Sequence, residues 1–244
     1  MNSTVPQALI DEAMERDPSS ASAEWLAEFR NDVEAWISRE AIEVAIQPGR
    51  FELPPASGAH YVGFVDPSGG SADSFTLAIG HRDKERGVLD VVRERRPPFS
   101  PDDCVQEFAG MLKSYGLHRV TGDRYAGEWP RERFLAHGIK YEPSERTKSQ
   151  IYQEALPLLN SGRVELLDHP RLTAQLCGLE RRVARGGKDS IDHAPGGHDD
   201  VANAACGALV AAAGRLSKAE SWARWAHVDL SRIDLDILRQ RAMF

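Results

Sequence analysis

Three short apolar runs lying close together constrain this chain most. They are Tyr61-Val62-Gly63-Phe64-Val65, Phe75-Thr76-Leu77-Ala78-Ile79-Gly80 and residues 87–93, GVLDVVR. Each is too short for a buried helix and reads as a strand. The gaps between them leave no room for a crossover helix, so they predict an antiparallel three-stranded meander. The pattern then alternates. Residues 101–114 read as a helix, with Asp102 and Asp103 in its favourable first turn, and 119–123 as a fourth strand. Residues 130–137 read as a helix, 139–143 as a fifth strand and 147–159 as a helix stopped by Asn160-Ser161-Gly162. An extended segment at 164–167, a helix at 172–179 and a basic hairpin over 180–193, turning at Gly186-Gly187, follow. A helix of small residues over 199–213 completes the set. This is an α/β layout: a mixed central sheet of about five or more strands, first antiparallel and then parallel, flanked by helices.

The segments outside this core read differently. Residues 1–57 are expected to be a mostly helical linker region, with Trp25, Leu26, Phe29, Val33, Trp36 and Ile37 at helical spacing within a helix over 21–45. Pro48-Gly49 ends that pattern, and Leu53-Pro54-Pro55-Ala56-Ser57-Gly58 reads as a linker. Residues 58–214 form the predicted core domain, and 215–244 an amphipathic tail. No apolar run approaches the roughly 20 residues that span a bilayer. Cys104, Cys177 and Cys206 have no CxxC spacing, which argues against a disulfide framework or a zinc site. The net charge of -7 weakly disfavours a nucleic-acid partner. Basic residues are bunched locally, however, and an acidic metal site adds negative charge that bound ions offset.

Three acidic features stand where chemistry can be built. Asp66 closes the first strand before Pro67-Ser68-Gly69-Gly70, and Asp123 closes the fourth. Asp199-Asp200 open the last helix after Pro195-Gly196-Gly197-His198. Each has an ordinary alternative, as turn residue, strand-end ion pair or helix cap. Together they form a set. Like-charged carboxylates a few ångströms apart raise one another's pKa unless a cation lies between them. Mg²⁺ and Mn²⁺ are hard ions that take carboxylate oxygen, and two of them can hold both oxygens of an in-line phosphodiester displacement. Asp73, His198, His193 and Lys148 are accessory candidates, with a solvated helix start as the ordinary reading of Lys148. Arg181, Arg182, Arg185 and Lys188 in the hairpin are candidates for phosphate contacts.

The order of elements is similar to that of RNase H-like proteins, in whose sheet the first and fourth strands are neighbours, so Asp66 and Asp123 are expected to face each other. The motifs carry a closer resemblance. Residues 61–74, Val120-Thr121-Gly122-Asp123-Arg124 and His198-Asp199-Asp200-Val201-Ala202-Asn203-Ala204 resemble, in order, the three nuclease motifs of tailed-phage terminase large subunits. Lys148-Ser149-Gln150-Ile151-Tyr152 and residues 156–167 also read like that family, over roughly residues 6–213. The resemblance implies an RNase H-like endonuclease of DNA packaging. It would use Mg²⁺ or Mn²⁺, two ions in all, on double-stranded DNA, in the cytoplasm of the infected host. Partners would be the terminase ATPase domain, the small terminase subunit and the portal protein, with no membrane. It carries Asp66 and Asp123 over directly. In the third motif it favours Asp200, with Asp199 close behind. The chain has no GxxxxGK[ST] loop, so ATP hydrolysis is not expected of it, and it reads as an isolated nuclease region. The competing readings are a Holliday-junction resolvase or transposase-like nuclease, and a non-catalytic docking module for portal or small subunit.

Overall fold

The computed structural model describes residues 6–25, 33–124, 127–183 and 189–214. The meander forms as its apolar runs predict. β3 (Tyr61–Asp66), β4 (Phe75–Asp83) and β5 (Arg86–Arg95) pair antiparallel in sequence. They follow α1 (Gln7–Arg16), α2 (Pro18–Trp25), β1 (Val33–Ala35), α3 (Arg39–Ala45) and β2 (Ile46–Gln47). Gly70 has φ +83, and a Cβ there would fall 3.3 Å from the Phe99 ring, so the turn after Asp66 requires glycine at that position.

Alternation then builds the rest of the sheet. α4 (Pro101–Ser114) is capped by the Ser100 hydroxyl, which accepts from Asp103 N–H. β6 (Arg119–Gly122), α5 (Trp129–Ala136) and β7 (Lys140–Pro143) follow. α6 (Lys148–Asn160) opens on a full capping box between Thr147 and Gln150. β8 (Val164–Leu167), α7 (Pro170–Cys177), β9 (Leu179–Val183), β10 (Asp189–His193) and α8 (Asp200–Ala213) complete the order. The main sheet has seven strands in the order β2-β8-β5-β4-β3-β6-β7. The β3–β6, β6–β7, β5–β8 and β2–β8 pairs are parallel.

Helices cover both faces. Phe75, Leu77, Ile79 and Val91 pack with Phe108, Leu112 and Phe134 of α4 and α5 on one side. On the other, Phe64, Ala78 and Leu89 meet α6, α7 and α8. α8 is buried on nearly every side, and its small residues let it lie close against β3, β4 and β5. This is the mixed α/β, RNase H-like architecture.

The N-terminal segment differs from the helix expected over 21–45. Val33–Ala35 is a strand, pairing with β9 in a second sheet ordered β1-β9-β10. A new helix starts only after Ser38, whose hydroxyl accepts from Ala41 N–H. The reason is tertiary. Trp36 N–H bonds to Leu179 O at 3.0 Å, and Trp36, Ile37 and Ile42 bury in the core beside Tyr152. These contacts outweigh helical spacing, which is a weak preference by itself. Leu26 and Phe29 lie outside the described residues, as does the tail over 215–244.

Candidate metal centre

Strand pairing brings the first two acids together. β3 and β6 run parallel, with Val65 beside Gly122, so Asp66 and Asp123 end neighbouring strands. Asp123 N–H bonds to Val65 O at 3.2 Å, and Tyr141 OH donates to Asp123 O at 2.7 Å. α8 delivers the third acid. Thr76, paired with Asp66 across β3 and β4, donates its hydroxyl to Asp200 O at 2.8 Å. One turn on, Asn203 Nδ2 donates to Asp66 Oδ2 at 2.9 Å. The N-terminal turn of α8 is thus fastened to the end of β3 and β4 from two positions.

The electrostatics show strain that a cation would relieve. Burial pushes the Asp66 carboxyl up to about 8. The Asn203 hydrogen bond opposes that rise, and the charges of Asp123, Asp200 and Asp199 add to it. Asp200 is also raised, by burial first and then by Asp73 and Asp199; the Ser74 N–H and His198 oppose the rise. Of the buried side-chain atoms without a hydrogen-bond partner among the described residues, the two oxygens, Asp200 Oδ2 and Asn203 Oδ1, both lie on the first turn of α8. Buried polar atoms are nearly always paired, so two such atoms beside three carboxylates fit a site that takes a cation. The donor set is oxygen only, which suits a hard divalent ion.

Asp199 has a different environment. It is buried, yet Tyr152 OH donates to its Oδ2 at 2.8 Å, and Lys148 Nζ lies 3.2 Å from Oδ1 and 3.0 Å from Oδ2. Lys148 also bonds Asp192 Oδ1 at 2.7 Å. Burial alone would lower the lysine pKa; Asp192 and Asp199 more than offset this and hold the ammonium charged. Asp192, His193 and Asp199 offer oxygen and nitrogen atoms within 4.8 Å of one another, and the ammonium sits among them. His193 Nδ1 is 2.8 Å from Ala194 O, while its Nε2 lies 4.0 Å from Asp199 Oδ1.

The accessory candidates divide. Asp73 and His198 are exposed, 3.7 Å apart at the rim. Lys148 is half-buried at the centre, although a capped helix start reads as solvated in the sequence. In the hairpin, Arg182 is exposed and paired with Glu180 at 2.9 Å. Arg185 and Lys188 lie outside the described residues. Arg181 is buried, bonding Asp17 Oδ2 at 2.6 Å and Asp189 Oδ2 at 2.8 Å. Its charge is used inside the protein, where it ties the start of α2 to the hairpin, and is not presented to a phosphate. Arg181→Ala should therefore destabilise the fold by about 3 kcal/mol, because two acids lose their cation. Urea unfolding measures this. An unchanged midpoint together with weakened DNA binding would return Arg181 to the phosphate-contact set.

Sequence reading missed Asp192, Tyr152, Asn203 and Thr76. Asn203 alone had a local signal: it stands one helical turn from Asp200, on the same face.

No protein-family model and no curated protein matches the chain. Solved structures do. The nuclease domain of the large terminase of Thermus phage P74-26 is similar with a TM-score of 0.59 at 16% identity, covering 75% of this chain and 98% of that one. The large terminase nuclease of thermophilic phage G20c with bound magnesium gives 0.56 at 18% identity, covering 69% and 94%. The large terminase of bacteriophage HK97 gives 0.57 at 17% identity, covering 85% of this chain and 52% of that one. The chain thus spans about half of that longer protein. The fold is α/β and RNase H-like, and within that class it is the fold of phage large terminase nuclease domains.

Proposed function

We propose that this chain is a metal-dependent endonuclease that hydrolyses phosphodiester bonds of double-stranded DNA during packaging of a phage genome. The observation that carries this reading is the convergence of Asp66, Asp123 and Asp200, with Asp200 Oδ2 buried and unpartnered. The magnesium bound to the G20c nuclease, and the shared fold, support it.

In this reading Asp66, Asp123 and Asp200 hold the ion. Bound Mg²⁺ or Mn²⁺ would supply charge neutralisation at the phosphate and a more acidic water. The chain's own groups then do the positioning. Asn203 fixes the rotation of the Asp66 carboxyl, while Thr76 and the Ser74 N–H fix Asp200. Tyr141 fixes the backbone carrying Asp123. A second ion is also expected from the sequence, with Asp199 among the ligands. The proposed phosphate contacts are Arg182 at the hairpin surface, Arg185 and Lys188. Asp73 and His198 are the rim groups that tune Asp200. The partners of this reading are DNA, the terminase ATPase domain, the small subunit and the portal, in the cytoplasm of the infected host.

The test is cleavage of supercoiled plasmid. Cutting is expected with Mg²⁺ or Mn²⁺ and none in EDTA, with linear duplex cut as readily as a four-way junction. No cutting with either ion sinks the nuclease reading. A strong junction preference moves the chain to the resolvases.

A further inference from the structure

The two adjacent acids of α8 are in opposite states. Asp200 has an oxygen that is buried and bare. Asp199 has both oxygens engaged by the chain itself, through the Tyr152 hydroxyl and the Lys148 ammonium. Lys148 does not reach Asp199 by chance rotation. Asp192 grips the same ammonium, and Asp192 Oδ1 also accepts the His193 N–H at 2.9 Å. The strand bearing Asp192 is fastened to the same turn of α6, because Ile191 N–H donates to Ser149 Oγ at 3.0 Å. Tyr152, on that helix, is fully buried with the Trp36 ring 5.5 Å away. Helix α6 engages Asp199 directly, the hairpin holds the lysine that does so, and the N-terminal segment packs Trp36 on the tyrosine.

We propose that Lys148 is a positioning residue that, anchored by Asp192, holds Asp199 off the divalent ion, so that Asp66, Asp123 and Asp200 alone are ligands. This rests on the metal-dependent reading given above. A carboxylate that already carries a cation has little to offer a second one, and an ammonium beside it repels a divalent ion. Lys148 thereby keeps Asp199 from joining the metal-holding carboxylates for as long as it keeps its place.

The proposal predicts opposite signs for metal binding and turnover. Mn²⁺ binding to the metal-free full chain is measured by calorimetry, alongside plasmid cutting. Lys148→Met frees Asp199 and removes a nearby positive charge. It should bind Mn²⁺ about tenfold more tightly yet cut more slowly at saturating Mn²⁺, because Asp199 is drawn onto the ion. Lys148→Arg, which keeps the charge, should retain parental affinity. Asp199→Asn should leave affinity within about threefold, whereas Asp200→Asn should weaken it by about thirtyfold or more. A lysine serving only the fold would not tighten metal binding, and circular dichroism checks that each variant folds. Unchanged or weaker Mn²⁺ binding by Lys148→Met overturns the proposal, as does an Asp199→Asn loss equal to that of Asp200→Asn. In those cases the metal site itself stands, since Asp66→Asn and Asp200→Asn still lose the ion. If those two variants bind Mn²⁺ like the parent, the metal reading falls and this inference with it.

Discussion

Asp66→Asn is expected to abolish metal-dependent cleavage and at the same time make the metal-free protein more stable. The two effects have one cause. Asp66 lies at the end of β3 among three other acids, and its carboxyl is pushed up to about 8, by burial first. Loss of a metal-holding carboxylate removes several kcal/mol of transition-state stabilisation, so cutting should fall by about a thousandfold or more. The stability effect has the opposite sign. A carboxyl whose folded pKa exceeds its unfolded value near 3.8 favours the folded state most below that value. The benefit is lost as pH rises through about 8. Asp200 is shifted in the same direction and adds to the trend. Metal-free parent should thus lose stability between about pH 4 and pH 8, and Asp66→Asn should lose less. Part of the residue meets solvent, so the gain at pH 8 is held to about 1–3 kcal/mol. Thermal melts in EDTA at pH 5 and pH 8.5 measure it. Added Mn²⁺ should raise the parent's midpoint at pH 8 and leave the variant's unchanged. A variant that cuts like the parent, or that melts below it at pH 8 in EDTA, removes Asp66 from the metal centre.

What the sequence displays of this arrangement, and what it hides, follows from the range of the contacts. Asp66 and Asp123 are legible because each ends a strand whose apolar run is local, and parallel pairing of those strands follows from the order of elements. Asp200 is legible as the first residue of a helix after a Gly-Gly turn. Lys148 is misleading locally. It sits in a capping box, the usual sign of a solvated helix start, and its environment is set by acids 44 and 51 residues away. Asp192 stands in a hairpin whose composition is basic, so it reads as surface charge. Arg181 errs the other way, looking like a phosphate contact while its partner Asp17 lies 164 residues earlier. Trp36 and Val33 keep helical spacing, yet backbone pairing with β9 decides their conformation. Periodicity reports local preference, and each of these residues is governed by partners it does not report.

The second large effect concerns how closely α8 approaches the sheet. A Cβ on Gly207 would lie 2.5 Å from Cδ2 and 2.7 Å from Cδ1 of Phe64. Phe64 is itself buried on the interior strand β3 and cannot swing out to solvent. Glycine ordinarily costs a helix interior about 1 kcal/mol relative to alanine, so its presence here exchanges helix propensity for proximity. That proximity is what the site requires. Nearer its N-terminus, the same helix places Asp200 O within 2.8 Å of Thr76 and Asn203 Nδ2 within 2.9 Å of Asp66. Gly207→Val should therefore destabilise by about 3 kcal/mol through overpacking. Because the strain is relieved by lifting α8 from β3, it should also weaken Mn²⁺ binding, although no metal-holding residue has changed. Gly110→Ala is the control. It lies exposed in α4 with nothing within 4 Å of its Cβ position, and should stabilise by about 0.5–1 kcal/mol with metal affinity unaltered. Urea midpoints and Mn²⁺ titrations on both variants decide the matter. If Gly207→Val is folded and binds Mn²⁺ as the parent does, the acids of α8 are held by their own hydrogen bonds and not by the packing beneath them.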